Sequence, residues 1–149
     1  MRLISFLLNH TACYGAVHGN KVLNLTPILG AEAPDLKTLI AKKMLDKAAE
    51  ALRQNTPDLI FEDLSLLPVI PNPEKIMCVG LNYHDHVKET GRDLTEKPAI
   101  FSRVNSSQVG HGQDIMRPPE SHRLDYEGEI AIIIGEGGRR ISEADAWKQ

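Results

Sequence analysis

Basic charge, aromatic rings and cysteine are all scarce in this chain of 149 residues. Seventeen Lys and Arg face twenty Asp and Glu, for a net charge of −3. No cationic stripe is present to meet a phosphate backbone or an anionic leaflet, so no nucleic acid and no membrane is expected as a partner. The two cysteines, Cys13 and Cys78, show no Cys-x-x-Cys spacing; they are expected as reduced thiols, Cys78 serving as a small apolar filler of its strand. No apolar run reaches the length of a membrane span, and Leu3 to Leu8 turns polar at Asn9-His10 too soon for a secretion signal, so a cytoplasmic location is the expectation. Internal repeats and low-complexity segments are missing as well. What is there, 42% hydrophobic and 25% charged residues, is a globular composition, enough for one ordinary core or for a small domain plus part of another.

Three prolines in six residues, Pro68, Pro71 and Pro73, forbid helix and favour an extended connector, which sets an expected boundary between residues 1–70 and 71–149. Before it, Leu3 to Leu8 alternates as a strand, and Tyr14 to His18 with Val22 to Leu25 forms a hairpin around Gly19-Asn20. Asp35 caps a helix presenting Leu36, Leu39 and Ile40, and a second helix carries Leu45, Ala48, Ala49 and Leu52 on one face. After the boundary the pattern is β-rich, with strands at Lys75 to Val79, Ala99 to Ser102 and Glu129 to Ile134 separated by loops rich in Ser, Gly and Pro. The fold class is therefore α+β.

Two constellations carry chemistry. Glu127 and Glu129, set two apart at the entrance to an apolar strand, share a face, and Gly128 between them admits another backbone. Two carboxylates with no accompanying thiolate or imidazole select a hard cation, Mg²⁺ first, with Mn²⁺ or Ca²⁺ as alternatives; a solvated strand edge is the plainer interpretation. Upstream, the strand ending at Gly80 is followed by a polar stretch of helical spacing in which His86 and Glu89 sit at i and i+3. A carboxylate there can orient an imidazole towards water or substrate, although exposed pairs of this spacing are common and contribute little.

The order of these motifs resembles the fumarylacetoacetate hydrolase family over about Pro71 to Ala146. The likeness rests on Gly80-Leu81-Asn82-Tyr83 with His86 and Glu89, the strand entry Lys97-Pro98-Ala99-Ile100-Phe101, Asp114-Ile115 before Pro118-Pro119, and Asp125-Tyr126-Glu127-Gly128-Glu129 before a Gly135-to-Ile141 turn. It implies a small N-terminal α/β domain over 1–70, then the first part of a mixed, rolled β-sheet barrel over 71–149, commonly paired into a homodimer. It also assigns the divalent metal to Glu127 and Glu129 and the activation of water to the His86-Glu89 dyad. The implied reaction is metal-dependent hydrolysis of a carbon-carbon bond in a β-diketo acid of acylpyruvate or fumarylpyruvate type, with the metal stabilising the enolate. A 2-oxo acid decarboxylase, isomerase or lyase is the alternative within the family. The family's third metal ligand, an aspartate in a later segment, has no counterpart here; the chain resembles a C-terminally truncated member whose 149 residues alone are expected to bind Mg²⁺ poorly, and a non-catalytic remnant or interaction module is the alternative outside enzymology.

Remaining polar residues divide between substrate contact and plain structure. Arg103 stands where many members carry lysine, and its planar fork suits a substrate carboxylate, with a surface ion pair as the equal alternative. Ser107, beside Ser106 and Gln108, lies in a polar loop that reads first as a plain turn, with donation to substrate oxygens as the alternative. Asn82 and Tyr83 shape the turn after their strand. Gly135 to Gly138 lacks the Lys-Ser/Thr of a phosphate loop and is taken as structural. Asp145, in Ser142 to Ala146, belongs to a capped helix start and is not taken as a ligand. His10, His18 and His111 are expected as surface or loop residues, and His122 at most orients a ligand.

Overall fold

A computed structural model describes residues 1–89, 91 and 97–148, the side chains of His84, His86 and Glu89 excepted. Its first strands form a meander: β1 (Arg2–Leu8), β2 (Thr11–His18) and β3 (Lys21–Asn24). Both turns are tight. Leu8 pairs with Thr11 and His18 with Lys21, and Asn9 and His10 both take positive φ, 49° and 63°, as a two-residue turn matched to strand twist requires.

Three helices follow as a block: α1 (Thr26–Leu29), α2 (Leu36–Ala41) and α3 (Leu45–Gln54). Asp35 caps α2 as its sequence predicts, its Oδ1 accepting from the Thr38 amide at 2.7 Å. Two short edge strands, β4 (Leu59–Ile60) and β5 (Ser65–Leu66), complete an antiparallel sheet of order β4-β3-β2-β1-β5. Because the helices come as one block against an antiparallel sheet, this region is α+β and not the α/β arrangement expected.

Period-2 alternation divides the sheet residues between two cores. Tyr14, Ala16 and Leu23 face the helices and pack with Leu25, Leu29, Leu36, Leu39, Met44, Ala48 and Ala51. Ile4, Phe6, Val17 and Val22 face the other way and close on Leu66, with Leu59 and Phe61 packed alongside. Both edge strands thus reach the same second cluster, so the sheet curls. Gly15 permits this: a Cβ there would strike the Leu23 carbonyl oxygen and stand 2.9 Å from Val22 Cγ1 and 3.1 Å from the Phe6 ring. The buried face of α3 differs from expectation. Leu45 is 46% exposed and Ala51 is buried, because the helix meets the sheet along Met44, Ala48 and Ala51, a stripe of spacing four and three that excludes position 45.

Chain packing separates two units, Met1–Ile70 with Val109–Gln149, and Pro71–Gln108. The second holds an antiparallel ribbon of β6 (Ile76–Gly80) and β7 (Ala99–Arg103) and the helix α4 (His84–Glu89). In the first, Gln113 clasps residues 109–149 to β5: its Nε2 donates to the Leu66 carbonyl at 3.0 Å, and its Oε1 accepts from the Gly110 amide at 2.9 Å. Farther along, Glu136 pairs with Lys43 at 2.5 Å, and the backbone of Gly135 lies against Ile40.

The strand expected at Glu129 to Ile134 does not form. A strand exists through its ladder, and among the described residues none pairs with this segment; Ile130 is 81% and Ile132 68% exposed. The pattern registered a capacity for pairing, and the pairing itself needs a neighbour.

Tyr14 ties the helix-side core together, its phenol donating to the buried Ala33 carbonyl at 2.8 Å. Burial first, and the Asp35 carboxylate second, push that phenol above its ordinary value. Tyr14→Phe should lower unfolding free energy by about 1–3 kcal/mol, because the Ala33 carbonyl is left without its donor, and Gly15→Ala by about 1–3 kcal/mol through overpacking. For an acid raised on folding, the stabilisation is complete below the unfolded value, about pH 10 for a tyrosine, and fades as pH rises through the folded one. Urea titrations from pH 7 to 11 check this: a Tyr14→Phe protein as stable as the parent at pH 7 contradicts the first expectation, and an unchanged Gly15→Ala the second.

Candidate functional site

The dyad positions lie on α4, which confirms helical geometry between residues 86 and 89 and hence neighbouring positions at i and i+3. The imidazole of His86 and the carboxylate of Glu89 lie outside the described residues. The helix is launched by a turn with one uncommon backbone: Leu81 adopts φ 55°, a left-handed conformation that costs a non-glycine residue about 1–2 kcal/mol. Gly80, just before it, is closely covered, since a Cβ there would stand 3.3 Å from the Phe101 ring. Asn82 and Tyr83 follow, and the Tyr83 carbonyl accepts the Val87 amide at 3.1 Å as the first turn of α4 closes. The turn-shaping role expected of these residues matches their place.

Arg103 is the last residue of β7, paired with Ile76, while Gly80 pairs with Ala99 at the other end of the ribbon. Four residues at about 3.3 Å each separate the two ends by roughly 13 Å. Arg103 and Ser107 are brought together: Nε donates to Ser107 Oγ at 3.2 Å, and that hydroxyl donates in turn to the Val104 carbonyl at 2.7 Å. Asn105–Ser107 form a short 3-10 turn, and Gln108 donates from Nε2 to Asn105 Oδ1 at 2.7 Å. Among the described residues no carboxylate pairs with Arg103.

Glu127 and Glu129 are both exposed, in a stretch without regular secondary structure between the Gln113 clasp and the Glu136 anchor. A Cβ on Gly128 would meet nothing within 4 Å, so the backbone approach expected there is not made by the described residues. The two side chains offer only carboxylate oxygens, the donor chemistry that suits a hard cation. Among the described residues no group of three His, Cys, Asp or Glu assembles to hold a metal. Asp145 is engaged elsewhere: Ser142 Oγ lies 2.6 Å and Lys148 Nζ 2.5 Å from its carboxylate oxygens, and these two hydrogen bonds, Lys148 first, hold its carboxyl below the usual range. It closes the 3-10 helix Glu143–Lys148, as its place at a capped helix start implies.

His111 and His122 lie outside the dyad helix. His122 Nδ1 lies 3.3 Å from Arg117 Nη1, in a turn that Arg117 closes by donating to the Ser121 carbonyl. His111 is exposed and lines a recess of about 170 Å³ with Ile4, Ser5, Leu66 and Val69. No signal in the local sequence marks that recess, since the chain distance from Ser5 to His111 hides it. Cys13 and Cys78 are free thiols.

Comparison with known proteins places these residues in context. A family model described as Fumarylacetoacetate (FAA) hydrolase C-terminal matches residues 75–149. "Oxaloacetate tautomerase fahd2, mitochondrial" of Xenopus laevis is 41% identical over 72% of this chain and 34% of its own length. "Oxaloacetate tautomerase FAHD2A, mitochondrial" of Bos taurus is 35% identical over 98% of this chain and 48% of its own. This chain thus spans about a third to a half of the length of these relatives. A solved structure, "Crystal structure of a putative HpcE protein from Mycobacterium smegmatis", superposes with a TM-score of 0.62 at 24% identity, over 79% of this chain and 41% of that one, which shows a shared fold. The match of the family model to half of the sequence makes this chain a member of the fumarylacetoacetate hydrolase family.

Proposed function

We propose that this chain carries the 2-oxo-acid-handling residues of a family enzyme whose reaction is keto-enol tautomerisation of oxaloacetate or a close analogue. The observation that carries this reading is the pair of relatives named as oxaloacetate tautomerases, 35–41% identical to this chain. In such a reaction a base removes a proton from C3 of the keto acid, the electron pair moves towards the C2 oxygen, and a proton delivered to that oxygen completes the enol; the reverse sequence restores the ketone. We assign the proton at C3 to His86, with Glu89 orienting its imidazole. Arg103 is the residue we assign to a substrate carboxylate. Glu127 and Glu129 would hold a divalent cation, Mg²⁺ by preference, which when bound supplies positive charge against the developing enolate.

Hydrolysis of a carbon-carbon bond in an acylpyruvate or fumarylpyruvate is the second reading, favoured by the His-x-x-Glu spacing on α4. There His86 takes a proton from water, the hydroxide adds to the distal carbonyl, and the bond between that carbon and its neighbour breaks. The electron pair leaves as an enolate, which is protonated to the shorter 2-oxo acid, and the distal fragment departs as a carboxylic acid. Both readings generate an enolate of a 2-oxo acid; they differ in whether water or a C–H is the group deprotonated.

Two experiments test these assignments in the longest form of the protein that contains residues 1–149. His86→Ala should slow tautomerisation, followed by enol absorbance, by about 10²- to 10⁴-fold, with metal affinity unchanged; a parental rate excludes His86 as the base, and faster turnover of acylpyruvate than of oxaloacetate by the parent favours the hydrolase. Separately, Glu127→Ala or Glu129→Ala should weaken Mg²⁺ and Mn²⁺ in calorimetric titrations by at least roughly tenfold, because each removes one of few anionic oxygens from a cation that parts reluctantly from water. Asp145→Asn should leave that affinity as it was. Equal loss in Asp145→Asn, or none in the glutamate variants, contradicts the metal assignment.

A further inference from the structure

The pairing of Arg103 with Ser107 has a defined direction. A serine hydroxyl has one proton to donate, and Ser107 commits it to the Val104 carbonyl at 2.7 Å, the same oxygen that accepts the Ser107 amide at 3.0 Å. Its remaining lone pairs can only accept, and one takes Arg103 Nε at 3.2 Å. Ser107 is therefore unsuited to donating to a substrate oxygen while this arrangement holds. A guanidinium offers two edges for bidentate contact, one formed by Nε with an Nη and one by the two Nη atoms. The Ser107 hydroxyl occupies the first.

We infer that Ser107 is a positioning residue for Arg103, holding the guanidinium so that its end edge, Nη1 and Nη2, receives a carboxylate of the 2-oxo acid. This rests on the function proposed above. Without Ser107 the side chain of Arg103 rotates among its rotamers, and the carboxylate must select one of them on binding. The turn Asn105–Ser107 sets the hydroxyl four residues on from the end of β7, a spacing that serves an arginine in particular. Lysine has methylene where arginine has Nε, so a lysine at 103 gains nothing from a hydroxyl at that point.

The test combines a spectroscopic and a kinetic readout. In ¹⁵N-labelled protein, Ser107→Ala should shift the Arg103 Nε–H resonance and accelerate its exchange with water; an unmoved resonance shows that the hydrogen bond is not made in solution and overturns the inference. In the longest form of the protein, Ser107→Ala should raise KM for oxaloacetate roughly three- to tenfold with kcat nearly constant, the loss expected for one hydrogen bond. In an Arg103→Lys background the same change should alter KM by less than about twofold, since the donor is gone, and Ser107→Thr should restore the parental KM. Equal effects of Ser107→Ala in both backgrounds, or none in either, overturn the positioning role while parental turnover leaves the 2-oxo acid reading standing. A parent that neither binds nor turns over any 2-oxo acid overturns that reading and this one with it.

Discussion

The close approach at Gly15 is the constraint on which the curled sheet depends. With only hydrogen on that Cα, the β3 backbone and the Phe6 ring come together over β2, and the sheet can bend until both edge strands reach one apolar cluster. Bending leaves the opposite face convex, and the helices α1 to α3 cover it with Leu29, Leu36, Leu39 and Ala48. A sheet buried on both faces has no polar side, which is why β2 alternates Tyr14 and Ala16 with Cys13, Gly15 and Val17 in place of an apolar and polar rhythm.

The sheet and the helix block on it are also the body to which the stretch holding the glutamate pair is tethered. The Gln113 clasp on β5 and the contact of Gly135 and Glu136 with Ile40 and Lys43 hold the ends of a stretch that contains Glu127 and Glu129. Neither tether depends on exposed charge alone. Gly110 is buried, and a Cβ there would overlap the Leu66 carbonyl, so its backbone must approach bare. Between the tethers the chain has no ladder of its own. The sequence there, Ile130 to Ile134 after two acids, nevertheless has the composition of a buried strand, and the isoleucines it exposes are apolar surface suited to a pairing partner.

Local chemistry was readable wherever the determinant lay within a few residues. Asp35 announced α2, Gly19-Asn20 announced its hairpin, and α4 followed Gly80 as spacing implied. Asn9-His10 gave a weaker signal: asparagine is at home at positive φ but histidine less so, and the polar pair reads equally as the end of an apolar run. What could not be read was anything set by distant partners. The Gln113 clasp needs the Leu66 carbonyl, 47 residues away, and α3 turned so that Ala51 and not Leu45 is buried because the sheet decides which stripe it meets. At the site, the residue types were visible in sequence, whereas the direction of the Ser107 hydrogen bond became visible only with the Val104 carbonyl in place.

An enolate of a 2-oxo acid is common to the tautomerase and the hydrolase readings, but only the proposed tautomerase forms it from a C–H, and that step leaves a direct trace. In deuterated buffer, the C3 protons of oxaloacetate should exchange for deuterium faster in the presence of Mg²⁺ and the longest form of the protein that contains residues 1–149 than in Mg²⁺-containing buffer, followed by proton NMR as the C3 signal fades before any carbon-carbon cleavage. Exchange that requires both the protein and the cation agrees with the account. Exchange no faster than in buffer, from a protein verified as folded and metal-loaded, would contradict its central claim.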